Sequence, residues 1–190
     1  VSLAFGVARE RLGEPYALVN NAGQAESARF ADTTRGTWEL MLAVNLTGTF
    51  LCTRQVIPAM LAAGSGRVVN VASVAGLRGY KTMAAYCAAK HGVVGLTRAL
   101  ALETAKHGVT VNAVCPGYTS DTSMVDAAVH NVSEGFGKTP AEARAMLERL
   151  NPRGSLIAPR EVANAVGWLL SPDASAITGQ AIVVAGGEVM

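Results

Sequence analysis

The 190-residue sequence is poor in charge, in aromatic side chains and in cysteine. Only 16% of its residues are charged and the formal net charge is +2, which indicates neither a nucleic-acid partner nor an anionic membrane. By inspection, no run is long enough and charge-free enough to span a bilayer, and no signal peptide opens the chain.

Cysteine and histidine are also scarce, and their positions limit the chemistry that they can support. Cys52, Cys87 and Cys115 all lie in apolar segments, and an odd number without disulfide-type spacing predicts free, buried thiols in a reducing cytoplasm. The histidines show no metal-ligand spacing, so no metal site is assigned. They are His91, His107 and His130.

Half of the residues are apolar, which is typical of parallel strands covered by helices on both faces. Four short apolar segments predict buried strands, at 17–20, 68–71, 109–114 and 181–185. Helices are predicted between and around them, at 1–12, 37–63, 83–106, 139–150 and 160–170. Pro58 is expected to bend the second of these helices near Arg54. The pattern predicts an α/β fold.

The stretch from Asn70 to Lys90 carries three polar side chains against an apolar background. Ser73 follows a β-branched run, whereas Tyr86 and Lys90 lie in an alanine-rich segment that predicts a helix. A spacing of four residues places Tyr86 and Lys90 on one helical face, with Cβ atoms about 5–6 Å apart. Because open α/β sheets bind ligands at the carboxyl ends of their strands, we expect a functional site here.

The three side chains suit proton transfer to or from an alcohol or carbonyl oxygen. At about 5 Å, and with an effective dielectric near 20, a positive charge on Lys90 favours the phenolate by roughly 3 kcal/mol, so the pKa of Tyr86 is predicted to fall by about two. Ser73 is placed to hydrogen-bond a substrate oxygen. No His/Asp pair accompanies the serine, which argues against acyl transfer. Taken alone, the pair also fits an amphipathic tyrosine beside a solvated lysine.

Further motifs accompany the trio in a fixed order along the chain. They are NNAG at 20–23, Asn45 within AVNLTGTF, Pro116–Gly117 within VTVNAVCPGY, and ITGQAIVVAGG near the end. Together with Ser73, Tyr86 and Lys90 they cover nearly all of the 190 residues. In these motifs the sequence resembles the short-chain dehydrogenase/reductase family.

The resemblance implies a doubly wound, Rossmann-like parallel sheet with helices on both faces. It also implies that the first βαβαβ part is missing from this chain, including the glycine-rich pyrophosphate turn and the residues that select NAD or NADP. Residues 1–190 would then form a single domain, two-thirds to three-quarters of the complete fold, with a substrate lid at about 118–152. Without the missing strands, the first strand would have an open edge.

By resemblance, the site transfers a hydride reversibly between NAD or NADP and a ketone or secondary alcohol. Tyr86 would exchange the proton with the substrate oxygen, Ser73 would hydrogen-bond that oxygen, and Lys90 would bind ribose hydroxyls. Asn45 would hold a water in a proton relay with Lys90. The other implied cofactor-binding residues are Asn21, Ala22, Gly23, Pro116, Gly117 and Thr119. Ser120 is an extra residue relative to the family pattern, so Thr122 is an alternative to Thr119.

The C-terminal part is most similar to 3-oxoacyl-thioester reductases and 3-hydroxyacyl-CoA dehydrogenases, which act on CoA or acyl carrier protein thioesters. Arg78, Tyr80 and Tyr118 are predicted to line the mouth of the substrate site. Relatives acting on small alcohols, such as 3-hydroxybutyrate, polyols or cyclic alcohols, share the same motifs and stay an alternative. Four basic residues in the lid either meet carrier phosphates or are solvated. These are Lys138, Arg144, Arg149 and Arg153.

An oligomer is also implied, because the family pairs its two long helices across a two-fold axis. Helices 37–63 and 83–106 would build a homotetramer or a homodimer. The first of them is apolar on several sides, which indicates burial by the sheet and by a partner subunit. An alternative of another class is a non-catalytic truncated or regulatory subunit. The missing glycine-rich turn supports it, whereas the intact Asn45, Ser73, Tyr86 and Lys90 argue against it.

Overall fold

The computed structural model describes all 190 residues and contains four strands and seven α-helices. The strands are β1 (Ala17–Asn20), β2 (Gly66–Val71), β3 (Val109–Pro116) and β4 (Ala181–Val184). The helices are α1 (Ser2–Leu12), α2 (Arg35–Leu42), α3 (Gly48–Ala63), α4 (Ala84–Thr104), α5 (Ser123–Phe136), α6 (Pro140–Glu148) and α7 (Pro159–Leu170). All four predicted strands and all five predicted helices are present, with small differences at their ends.

The strands form one parallel sheet in the order β1-β2-β3-β4. Ala17 pairs with Arg67, Val68 pairs with Val111, and the register continues into β4. Because all strands run the same way, their carboxyl ends meet at one edge of the sheet, where ligands of such folds bind. This sheet confirms the predicted Rossmann-like α/β class.

Helices cover both faces of the sheet, as alternate strand residues require. On one face, Val68 and Val111 pack with Val56 of α3 and Ala101 of α4. On the other face, Val69 and Val114 pack against Leu169 of α7, in a separate cluster. Successive residues of each strand point to opposite faces, and helices cover both faces. Burial on both sides therefore explains the near-continuous apolar runs of β2 and β3.

Helices α2 and α3 are joined without a break by a π-helical segment, Ala43–Thr47, so the chain is helical from Arg35 to Ala63. Pro58 lies inside α3 without ending it. By length and composition this helix could cross a membrane, which corrects the expectation that no segment qualifies. A single such helix is weak evidence for a membrane-spanning segment, because helices packed inside globular domains meet the same criteria. Much of its apolar surface is exposed, including Phe50 and Leu51.

Helix α5 was not predicted, because its sequence is rich in small and polar residues and ends near two glycines. Thr122 begins it, since its side chain accepts a hydrogen bond from the Val125 amide, and Gly137 ends it in the left-handed conformation. The next helix, α6, begins with the predicted capping box of Thr139 and Glu142. The region predicted as a lid is therefore a pair of packed helices, with Val125 and Leu147 in their shared core.

Candidate active site

Ser73 lies just beyond β2, where the chain leaves the sheet in an extended conformation. Its hydroxyl oxygen accepts a hydrogen bond from the Ala75 amide at 3.1 Å and so caps a short 3₁₀ turn, Val74–Gly76. This contact fixes the serine oxygen while leaving its proton free to donate. The strand end and the turn together hold the side chain at the carboxyl edge of the sheet.

Tyr86 and Lys90 lie in the first turns of α4 and are both buried. The Lys90 ammonium is 5.7 Å from the centroid of the Tyr86 ring, and it donates a hydrogen bond to the Val71 carbonyl at 2.9 Å. The helical face predicted from the four-residue spacing is therefore present. Since an ammonium has three protons and one is used by Val71, two are left for other acceptors.

Gly76 allows α4 to approach the turn that carries Ser73. A Cβ atom added at Gly76 would lie 2.7 Å from the Lys90 carbonyl oxygen and 3.2 Å from a methyl of Val94. Neither backbone nor packed side chain leaves room for that atom. Close packing at this glycine thus brings the serine and the helix residues into one site.

The electrostatics of the pair differ from the expectation. Burial raises the pKa of Tyr86 from 10.0 to about 12, opposed by the neighbouring Ser73 hydroxyl, which lowers it as a hydrogen-bonding partner. Burial also lowers the pKa of Lys90 from 10.5 to about 8. The predicted fall in the pKa of Tyr86 is therefore wrong, because removal from water penalises both charged forms.

Asn45 is held in the π-helical segment, a geometry that is rare and concentrated at functional sites. Its side-chain amide donates to the carbonyls of Gln24 and Met41 at 2.9 and 3.0 Å, and its oxygen accepts from the Gln24 amide. A Cβ atom on Gly23 would lie 2.9 Å from the Asn45 oxygen and 3.5 Å from the Lys90 ammonium. Asn45 and Lys90 therefore converge on the NNAG turn, whereas the predicted relay water between them stays a prediction.

A cavity of about 250 Å³ opens beside this turn, between the loop after β1 and the start of α5. Gly23 and Met41 line one side, and Ser123 and Met124 line the other. Asn21 and Ala22 are exposed where the chain enters it. Sequence patterns did not identify the two methionines as residues that line a cavity, because an apolar residue in a helix is usually assigned to the core.

The turn after β3 closes the carboxyl edge next to the cavity. The Gly117 amide continues the ladder to Val184, after Pro116 ends the strand. The Thr119 hydroxyl donates to the Gly117 carbonyl at 3.1 Å. Thr122 is occupied as the cap of α5 and donates to the Thr119 carbonyl. Of the two candidate threonines, Thr119 is the one that stays close to the strand end.

Arg78 and Tyr80 are not free at the site, because both are bound to Glu188, a residue that the sequence did not single out. The Tyr80 hydroxyl donates to the Glu188 carboxylate at 2.6 Å and Arg78 donates to the same oxygen at 2.9 Å. Tyr118 packs against the core of α5 and α6, and burial raises its pKa. The feature of the sequence that could have identified Glu188 is a carboxylate in an otherwise apolar tail, AGGEVM.

Two of the four basic residues predicted to meet carrier phosphates are engaged with acidic neighbours on the surface. Arg144 pairs with Glu148, and Arg153 pairs with Glu161. No group of three or more His, Cys, Asp or Glu residues could hold a metal ion. All three cysteines are free, with Cys87 and Cys115 buried and Cys52 half-buried.

A parallel sheet with a serine, tyrosine and lysine at its carboxyl edge defines a doubly wound oxidoreductase fold, and comparison with known proteins agrees. A family model described as enoyl-(acyl carrier protein) reductase matches residues 1–188. A putative ketoacyl reductase of Streptomyces coelicolor is 43% identical over 94% of this chain and 69% of its own length. An acetoacetyl-CoA reductase of Rhizobium meliloti is 41% identical over 96% of this chain and 72% of its own.

A solved structure is equally similar. A variant of actinorhodin polyketide ketoreductase with NADPH superposes with a TM-score of 0.92 and 42% identity, over 96% of this chain and 70% of that one. This chain therefore spans about 70% of the length of these relatives. The chain belongs to the short-chain dehydrogenase/reductase family.

Proposed function

We propose that this protein interconverts a ketone and a secondary alcohol with NAD or NADP, at the site formed by Ser73, Tyr86 and Lys90. The observation that carries the proposal is the convergence of the half-buried Ser73 with the buried Tyr86 and Lys90, beside the NNAG turn and the carboxyl edge of the sheet. A phenol, a hydroxyl and an ammonium in one site are suited to moving a proton to or from a substrate oxygen, and no His/Asp pair accompanies the serine as in the common acyl-transfer triad.

The residues present fit a nicotinamide nucleotide. Lys90 has two unused protons for ribose hydroxyls, Gly23 provides a surface without a side chain, and Thr119 lies at the end of β3. A bound reduced nicotinamide supplies the hydride. Of the two dinucleotides, neither is favoured by these residues, because the segments that select between them are not among the motifs found here.

In the reductive direction, Tyr86 donates its proton to the carbonyl oxygen of the substrate. A pKa of about 12 keeps the phenol protonated at neutral pH, so this donor is ready before substrate arrives. Ser73 hydrogen-bonds the same oxygen and stabilises the charge that develops on it. Lys90, when protonated, favours the phenolate left behind, and Asn45 lies on the route by which that proton is replaced.

A 3-oxoacyl thioester is the substrate class that we favour, carried by CoA or acyl carrier protein. The similarity to a ketoacyl reductase and to an acetoacetyl-CoA reductase supports it. Oxidation of a 3-hydroxyacyl-CoA is the reverse of the same reaction. A small alcohol such as 3-hydroxybutyrate, a polyol or a cyclic alcohol is the second candidate, since a sorbitol-6-phosphate 2-dehydrogenase from Erwinia amylovora shares the fold at a TM-score of 0.93.

Replacing Tyr86 with Phe tests the proposal. The fold should be retained, while turnover of a 3-oxoacyl thioester should fall by about 10²–10⁴-fold, the range expected for loss of a general acid. The matched control is Tyr16→Phe, which removes a half-exposed phenol at the other end of the sheet and should leave turnover unchanged. Steady-state kinetics and urea unfolding of both variants measure this, and retained turnover in Tyr86→Phe contradicts the proposal.

A fluorescence titration with NADH and NADPH addresses the non-catalytic alternative. An enzyme should bind at least one of the two dinucleotides and quench or shift its emission, whereas a regulatory subunit without a complete nucleotide site should bind neither. The oligomer formed through 37–63 and 83–106 and a cytoplasmic location are parts of the same proposal, supported by the exposed apolar residues of both helices and by the free thiols.

A further inference from the structure

Met124 lies in the first turn of α5, where that helix faces the NNAG turn across the cavity described above. A Cβ atom placed on Gly23 would lie 3.5 Å from the Lys90 ammonium nitrogen and 3.7 Å from the terminal methyl carbon of Met124. Both groups are therefore within contact distance of one point on the cavity wall. An apolar methyl is thus a neighbour of the cation that is proposed to bind ribose hydroxyls.

The position of this methionine is fixed by the segment that precedes it. Thr122 caps α5, and its hydroxyl donates to the Thr119 carbonyl at 2.9 Å. Thr119 in turn donates to the Gly117 carbonyl, directly after β3. The first turn of α5 is therefore tied to the end of the sheet, and Met124 is held at the cavity.

Met124 is also the methionine of this site that solvent reaches. It is 39% exposed, whereas Met41, on the opposite wall of the same cavity, is fully buried. Of the other methionines, Met60 is buried, Met83 and Met146 are half-buried, and Met190 is exposed at the last position of the sequence. Only Met124 combines an exposed thioether with a place in the proposed nucleotide site.

Oxidation of this thioether by a peroxide would change what the side chain offers to its neighbours. A sulfur lone pair forms the S–O bond and the O–O bond breaks, so the sulfur loses two electrons and hydrogen peroxide is reduced to water. The sulfoxide replaces an apolar group with a polar one whose oxygen accepts hydrogen bonds. Lys90 has two protons that its bond to the Val71 carbonyl does not use.

We propose that Met124 is an oxidation-sensitive modification site that controls dinucleotide binding. The sulfoxide oxygen accepts a hydrogen bond from Lys90, so it competes with ribose hydroxyls for the same protons and keeps the side chain across the NNAG turn. Enzymatic reduction of the sulfoxide restores the thioether and the affinity. This inference rests on the proposed function and adds a mode of regulation to the same site.

Met124→Leu tests the inference, because leucine keeps an apolar side chain of similar size that a peroxide does not oxidise. Wild type and variant are treated with hydrogen peroxide and then with dithiothreitol, which reverses disulfide formation but leaves the sulfoxide. The dissociation constant of NADH or NADPH is measured by fluorescence before and after treatment. It should rise by about tenfold in wild type, the size of one hydrogen bond to a charged group, and should not change in Met124→Leu.

Met190→Leu is the matched control, because it removes the other exposed methionine and should respond to peroxide as wild type does. Peptide mass spectrometry should place an added oxygen on Met124, and methionine sulfoxide reductase should return the dissociation constant to its first value. An unchanged dissociation constant in oxidised wild type, or an equal rise in Met124→Leu, would overturn the inference.

A measurement without dinucleotide separates this inference from the proposed function. A sulfoxide bonded to Lys90 should slow the acetylation of that amine by acetic anhydride in wild type but not in Met124→Leu, with the exposed Lys106 as internal reference. If untreated wild type binds neither dinucleotide, the proposed function fails, and the labelling of Lys90 decides whether oxidation of Met124 acts on it. Equal labelling of Lys90 before and after oxidation means that the sulfoxide contact is absent and the inference is wrong.

Discussion

Lys90 shows what burial does to a single charged residue in this protein. It is 4% exposed and has one hydrogen bond, to the Val71 carbonyl, with no carboxylate beside it. Loss of hydration lowers its pKa to about 8, so close to neutral pH its charge is costly to the folded state. Ribose hydroxyls, if bound, would replace part of that lost hydration.

This cost should be visible as a pH dependence of stability without dinucleotide. Between about pH 8 and 10.5 the unfolded chain holds the Lys90 proton and the folded chain releases it, so the free energy of unfolding should rise with pH. From pH 7.5 to 9.5 the free energy of unfolding of wild type should rise by about 2 kcal/mol relative to that of Lys90→Met, because the raised pKa values of Cys115 and Tyr86 act in both proteins. Urea unfolding of both proteins measures the difference, and an equal pH slope would contradict it.

The titration of Tyr86 sets the upper end of the pH range in which stability should rise. Its raised pKa means that between pH 10 and about 12 the folded chain keeps a proton that the unfolded chain has lost, so stability should fall there. The spacing of Tyr86 and Lys90 predicted their shared face from sequence. The direction of the pKa shift could not be predicted in this way, because it depends on how much protein surrounds the pair.

At the scale of elements, the site depends on how closely α4 approaches the 3₁₀ turn after β2. The sequence predicted the strand, the helix and the loop between them, since each has a local signal. The contact itself joins Gly76 to Lys90 and has no local signal. The same holds for the π-helical segment that carries Asn45 and for α5, whose start is fixed by the Thr122 cap rather than by a strong apolar period.

Gly76→Ala should therefore disturb the site through its backbone. The new methyl would lie 2.7 Å from the Lys90 carbonyl oxygen, and separating these elements should cost about 1–3 kcal/mol of unfolding free energy, typical of overpacking. Gly79→Ala is the matched control in the same loop, because nothing lies within 4 Å of its added Cβ atom. Urea unfolding should show a loss for the first variant and less than about 0.5 kcal/mol for the second.

For the whole molecule, the exposed apolar side chains of the long helices are the feature that one chain does not explain. Phe50 is 45% exposed on α3 and Leu102 is 84% exposed on α4. The sequence predicted that the first long helix would be covered on most sides, and the single chain leaves much of it uncovered. Pairing with a second copy would bury these side chains, which is the arrangement proposed above.

Leu102→Arg should then lower the mass measured by light scattering at micromolar concentration, because a charge would be buried in the interface. The control is Leu3→Arg, which changes an equally exposed leucine on α1, 84%, and should leave the mass unchanged. Neither variant should alter the fold of the single chain, as far-UV circular dichroism would report. A monomeric wild type, or an unchanged mass for Leu102→Arg, would contradict the oligomer.

The order of the strands in space is the same as their order along the chain, β1-β2-β3-β4. Each strand after β1 therefore joins the strand made immediately before it, and no place between two earlier strands has to be held open. During synthesis, which delivers the earlier strands first, these four strands can be added one after another on the same side of the sheet, and each new strand pairs with the edge left open by the one before it.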